Sequence, residues 1–122
     1  MRITLADERR KVRFALRALL QRQIDMEVVG EAVTAQELIA LVEQDVPDLI
    51  LVDCELPGME LPDLVQALRT TCPATMIIAL SGRVDARHRA QKAGVDIFVS
   101  KGEPPERLLS AIEGCAQRCS SP

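Results

Sequence analysis

Leu49-Ile50-Leu51-Val52-Asp53, with Leu56-Pro57-Gly58 close behind, decides the fold. The four apolar residues run without alternation, which suits a strand covered on both faces, as in a parallel sheet. Asp53 follows that run at once, and Leu56-Pro57-Gly58 then breaks the pattern. Before the run, Leu38, Ile39 and Val42 fall at helical spacing. Thr34 is a candidate N-cap for that helix, with Glu37 three residues on, the pattern of a capping box. After the run, Pro62 opens a helix carrying Leu64, Val65 and Leu68; proline suits a first turn, where its missing N–H costs nothing.

The same alternation continues to both ends. Ile3 to Ala6 is a first strand, followed by a helix with Val12, Leu16, Leu19 and Leu20 at helical spacing. Glu27-Val28-Val29-Gly30 reads as the second strand, running out into Glu31-Ala32. Met76 to Leu80 is the fourth, then a polar helix from about Val84 to Ala93 stopped by Gly94. Asp96 to Ser100 is the fifth. The last helix starts near Pro104-Pro105 and carries Leu108, Leu109, Ile112, Cys115 and Cys119. Five β–α units without linker, repeat or low-complexity tract predict an α/β domain: a five-stranded, doubly wound parallel sheet in the order 2-1-3-4-5, flavodoxin-like. The expected organisation is a single domain over 1–122, with its core at about 2–118.

Composition bounds the function. The chain has 122 residues, 48% of them hydrophobic and 27% charged, which is ordinary for one globular domain. No apolar run approaches the ~18 residues of a membrane span, and Asp7 and Glu8 come too early for a signal peptide. A cytoplasmic protein is the default expectation. A net charge of -3, with two Phe and no Tyr or Trp, argues against nucleic-acid binding by this domain. Cys54, Cys72, Cys115 and Cys119 include no C-x-x-C pair, and His88 has no cysteine near it, which argues against zinc. Cys115 and Cys119 are four apart, on one helix face, and all four cysteines read as reduced core thiols.

In a doubly wound sheet, ligands bind beyond the carboxyl ends of the strands, where the winding reverses, here between strands 1 and 3. Strand 1 ends in Asp7-Glu8, strand 3 in Asp53, strand 4 in Ser81-Gly82 and strand 5 in Ser100-Lys101-Gly102. Any one polar strand end can simply mark where chain meets water. Four adjacent ends with complementary chemistry say more. Three crowded carboxylates either take up protons or bind a cation, and an oxygen-only donor set suits Mg²⁺. A carboxylate can attack phosphorus to give an aspartyl phosphate. Lys101 would neutralise the transferred group and Ser81 would hydrogen-bond one of its oxygens. Asp53, central among these ends, is the candidate nucleophile.

These motifs together resemble the response-regulator receiver domain of bacterial two-component signalling, over about Ile3 to Ile112. The resemblance rests on Asp7-Glu8, on Leu49 to Asp53 before Leu56-Pro57-Gly58-Met59, on Ala79-Leu80-Ser81-Gly82 and on Phe98-Val99-Ser100-Lys101. It implies that Asp53 accepts a phosphoryl group from a sensor histidine kinase, with possible autophosphatase activity but no turnover chemistry. It implies a Mg²⁺ site of Asp7, Glu8, Asp53 and the backbone carbonyl of Glu55. Ser81 and Lys101 would contact the phosphoryl group, and Ser81 with Phe98 would form the switch; from its sequence position alone, Phe98 reads as core. The stretch Ala15 to Leu20 and Phe98 to Gly102 resemble receivers of nitrate-response-type helix-turn-helix transcription factors. Such proteins act on DNA through an output domain, which this chain does not contain, so a stand-alone receiver working by protein contact stays open. Leu61 stands where the family commonly has Gly, Glu8 where Asp is more usual, and Gly102 where many receivers have Pro.

Two alternatives share parts of the pattern. A haloacid-dehalogenase-type phosphatase also orders Asp, Ser/Thr and Lys on strand ends, but needs a second Asp two residues after the nucleophile, where Glu55 stands. A degenerate receiver would keep only the fold, yet every reactive position here is filled. Partner contact is the remaining question. Arg9, Arg10, Lys11, Arg13, Arg17 and Arg22 crowd the first helix, and Phe14 lies about 200° around it from Val12, off the apolar stripe. Either this face is merely solvated, or Phe14 ringed by arginine marks a contact with a kinase or a homodimer partner.

Overall fold

Each predicted strand forms, and each is followed by its helix. The computed structural model describes residues 1–120, and side chains through Arg118. The order is β1 (Arg2–Ala6), α1 (Arg10–Gln21), β2 (Glu27–Ala32), α2 (Ala35–Gln44), β3 (Leu49–Asp53), α3 (Leu61–Thr71), β4 (Met76–Ser81), α4 (Ala86–Ala93), β5 (Ile97–Ser100) and α5 (Pro105–Ser120). All pairings are parallel and the sheet order is β2-β1-β3-β4-β5. β3 is central and wholly buried, as its unbroken apolar run requires.

Alternation along β3 divides the core. Ile50 and Val52 face a layer built by α2, α3 and α4, with Leu38, Leu64, Leu68 and Phe98. Leu49 and Leu51 face the other layer, with Leu20 of α1 and Leu108 and Ile112 of α5. Cys54 and Cys72 are buried free thiols, and Cys115 is buried as well; the side chain of Cys119 lies outside the described residues.

Local signals place the ends. Thr34 caps α2, its Oγ1 accepting from Glu37 N at 3.1 Å. Gly94 closes α4 with φ 92°, a left-handed cap that suits glycine. Gly58, at φ 109°, lets the loop after β3 turn against α2: Gln36 donates to its carbonyl at 3.0 Å, and Ala35 N donates to Pro57 O at 2.8 Å. Leu61 needs no such freedom, since it opens α3 as a buried residue behind Glu60. The α4 boundary differs from expectation. Val84 is fully exposed and the helix starts two residues later, at Ala86, the first residue there that is buried.

Candidate functional site

The expected strand ends do converge. Asp7 directly follows β1 and Asp53 closes β3, and both are buried, at 2% and 8% exposure. Lys101, just past β5, bridges them: its Nζ donates to Asp7 Oδ2 at 2.7 Å and to Asp53 Oδ1 at 3.2 Å. Two carboxylates therefore share one ammonium. The backbone anchors the participants. Arg9 N donates to Asp7 Oδ1 at 2.8 Å, and Lys101 N donates to Ser81 O at 2.9 Å, which holds the lysine against the end of β4.

Burial dominates the electrostatics of Asp53 and pushes its carboxyl above the ordinary range. Lys101 pulls against that rise, and the like charge of Asp7 adds to it. The next residue, Cys54, is pushed up to about 11 by burial and by the Asp53 charge, so its thiol stays protonated beside the site.

Above the pair lies an open cleft of about 390 Å³, lined by Glu8, Arg9, Asp53, Glu55, Ser81, Gly82, Arg83 and Lys101. Ser81 is fully buried at its floor, its Oγ accepting from Arg83 N at 3.0 Å. Glu8 lies exposed on the rim. Among the described residues, no three acidic, histidine or cysteine side chains come together closely enough to hold a metal on their own. The donor set still suits Mg²⁺, which keeps several waters and takes only one or two carboxylates. Asp7 and Asp53 would supply those, in a place where burial already calls for positive charge.

Phe98 is buried, and on the adjacent strand it pairs with Ala79, two residues before Ser81. Arg87 of α4 covers its ring, with the guanidinium carbon 4.9 Å from the centroid. Phe14 is 75% exposed and off the α1 stripe, as its helical angle requires.

Three arginines have roles that spacing does not reveal. Arg13 donates to the carbonyls of Asp7 and Glu8 at 2.9 and 3.1 Å and pairs with Glu31, so it braces the acidic loop from within the molecule. Arg17 joins it on Glu31; burial works against that carboxylate, but the two arginines hold its pKa low. Arg89 of α4 pairs with the Glu55 side chain. The basic face of α1 is thus partly committed inside the protein.

Comparison with known proteins adds sequence relationship to this geometry. The family model for the response regulator receiver domain matches residues 3–113. The uncharacterized transcriptional regulatory protein YhcZ of Bacillus subtilis is 38% identical over 114 residues, covering 89% of this chain and 52% of that protein. The transcriptional regulatory protein DesR of the same organism is 34% identical over 110 residues, covering 90% and 55%. The chain thus spans about half the length of these relatives. A LuxR-family two-component response regulator from Aurantimonas sp. SI85-9A1 superposes with a TM-score of 0.86 at 30% identity, covering 95% of this chain and 85% of that one. The signal receiver domain of the putative response regulator NarL from Mycobacterium tuberculosis shares the fold, with a TM-score of 0.85 at 24% identity and 95% of each chain covered.

Proposed function

Because the chain belongs to the response regulator receiver family, we propose that Asp53 is its phosphoacceptor and that a sensor histidine kinase is the donor. The observation that carries this reading is the single ammonium of Lys101 shared between Asp7 and Asp53. An Asp53 oxygen forms a new bond to phosphorus as the donor's P–N bond breaks, and the bonding pair leaves on the imidazole nitrogen. Lys101 can then turn from carboxylate to phosphoryl oxygen, and Ser81 can donate to another of those oxygens. Hydrolysis returns the site to its start: water attacks phosphorus, the acyl O–P bond breaks, and inorganic phosphate leaves.

Receiver domains bind Mg²⁺ as a general feature. In this chain Asp7 and Asp53 would hold it, with the carbonyl of Glu55, and Glu8 stands exposed on the rim beside them. Its chemistry there is neutralisation of charge on the phosphoryl oxygens. The phosphatase alternative is disfavoured because Glu55, which would have to serve as general acid, is ion-paired with Arg89.

Ser81 moving toward the phosphoryl group would open space beside Ala79, into which Phe98 can shift against Arg87. Phosphate would then bias two packings that differ by a few kcal/mol. The output is transcription, acting on DNA through a domain outside this chain, since the relatives of twice its length are transcriptional regulators. A cytoplasmic setting follows from that output; among the described residues, no helix is long and apolar enough to cross a membrane. The exposed Phe14, with Arg10 and Lys11 nearby on α1, is the surface we assign to kinase contact or homodimerisation.

The test is direct. With acetyl phosphate and Mg²⁺, intact mass should rise by one phosphate, EDTA should prevent the gain, and Asp53→Asn should show none. A phosphate retained on Asp53→Asn would falsify the assignment.

A further inference from the structure

Glu55 forms a wall between two clefts. On one side is the cleft above Asp53. On the other is a wider groove of about 770 Å³ between the loop after β3 and α4, reached by Arg89 and Lys92. The Glu55 side chain is tied to the α4 side by its ion pair with Arg89, and both partners are substantially exposed. The other cations facing Glu55 across the reactive cleft are Arg9, Arg83 and Lys101.

We infer that Arg89 is a positioning residue for phosphoryl acceptance: it holds the Glu55 carboxylate on the α4 side, out of the path by which an anionic phosphodonor reaches Asp53. The inference rests on the reading of Asp53 as phosphoacceptor. The physical argument is one of competing cations. Without Arg89, Glu55 keeps Lys92 alone on the α4 side and is drawn toward the three cations that line the reactive cleft. There it adds negative charge where a phosphoryl anion must enter, and it competes for the ammonium of Lys101. Arg89 thus acts through Glu55 and touches neither donor nor acceptor. This separates its role from that of Arg83, whose backbone N–H contacts Ser81.

The experiment compares rates of Asp53 labelling by acetyl phosphate at fixed Mg²⁺. The parent is set beside Arg89→Ala and the double variant Arg89→Ala/Glu55→Gln. One unscreened charge at the edge of a half-wet cleft should slow Arg89→Ala by roughly three- to tenfold. The double variant should recover most of that loss, because the misplaced charge is gone. The deficit should also shrink as salt rises, since the Debye length falls to about 10 Å at 0.1 M. An exposed ion pair adds little to stability, so Arg89→Ala should melt close to the parent and its slow labelling would not reflect misfolding. Labelling of Arg89→Ala at or above the parental rate would overturn the inference. So would a double variant as slow as Arg89→Ala, since Arg89 would then act by its own charge. A parent that takes no phosphate on Asp53 overturns the acceptor reading itself, a result distinct from the other two.

Discussion

The two edges of the sheet are both lined with carboxylates, and they use them differently. At the amino edge, Asp48 accepts from the backbone N of Arg2 at 2.8 Å, and Asp96 accepts from Ile77 N at 2.7 Å and from Arg69 at 3.0 Å. Thr75 there donates its hydroxyl to Pro47 O at 2.7 Å. These groups join neighbouring strands, and each charge has a local partner. At the carboxyl edge, Asp7 and Asp53 divide one ammonium between them, and Ser81 is buried beneath an open cleft. A polar strand end is therefore no sign of function by itself. What distinguishes the carboxyl edge is that two buried carboxylates share one ammonium beside an open cleft, so a change in one is felt by the other.

The largest effect should come from removing the shared charge. Lys101→Ala leaves two buried carboxylates without their cation, which should cost about 3 kcal/mol in urea unfolding. Mg²⁺ should restore part of that loss by mass action, and should raise the melting temperature of Lys101→Ala more than that of the parent. Equal shifts in both proteins would mean that the carboxyl edge is not short of positive charge.

At the opposite edge, Asp96→Asn weakens a strand-joining hydrogen bond and an ion pair. A loss of about 1–2 kcal/mol is expected in the same assay. Acetyl-phosphate labelling of Asp53 should stay at the parental rate, because Asp96 lies at the other end of the sheet. A matched fall in labelling would mean that the edges are coupled and would blur the contrast between them.

The smallest effect carries the sign of the Asp53 shift. Its folded-state pKa is raised by burial, so the native state favours the protonated form, and the parent loses stability as pH rises through that pKa. Asp53→Asn has no such charge to bury. At neutral pH it should melt above the parent, by roughly 4 °C for each kcal/mol recovered. The gap should close as pH falls and the parent's Asp53 takes up its proton. A gap that widens toward acid would show that Asp53 is held by Lys101 more strongly than burial opposes it.

Much of this was legible beforehand. The unbroken run of β3 announced burial on both faces, and Thr34, Gly94 and Pro62 marked helix ends by chemistry that acts within a few residues. Phe14 could be placed off the α1 stripe by angle alone. The polar ends of β1, β3, β4 and β5 could be assigned to one edge once the strand order was known. The start of α4 was not legible, because Val84 suits a helix pattern yet finds nothing to pack against. Nor was the engagement of Arg13 and Arg17 with Glu31, since a crowded basic helix looks the same whether its charges meet water or a neighbouring strand.

What the sequence by itself determined is the alternation of strand and helix, the parallel order, and which residue types sit at each strand end. Periodicity and capping are local, and they survive being read one residue after another. Only the tertiary structure decided which charges meet. Lys101 reaches Asp7 across 94 residues and Arg89 reaches Glu55 across 34. Such pairings depend on where the helices come to rest on the sheet, and long side chains leave no trace of their partner in the spacing of the chain.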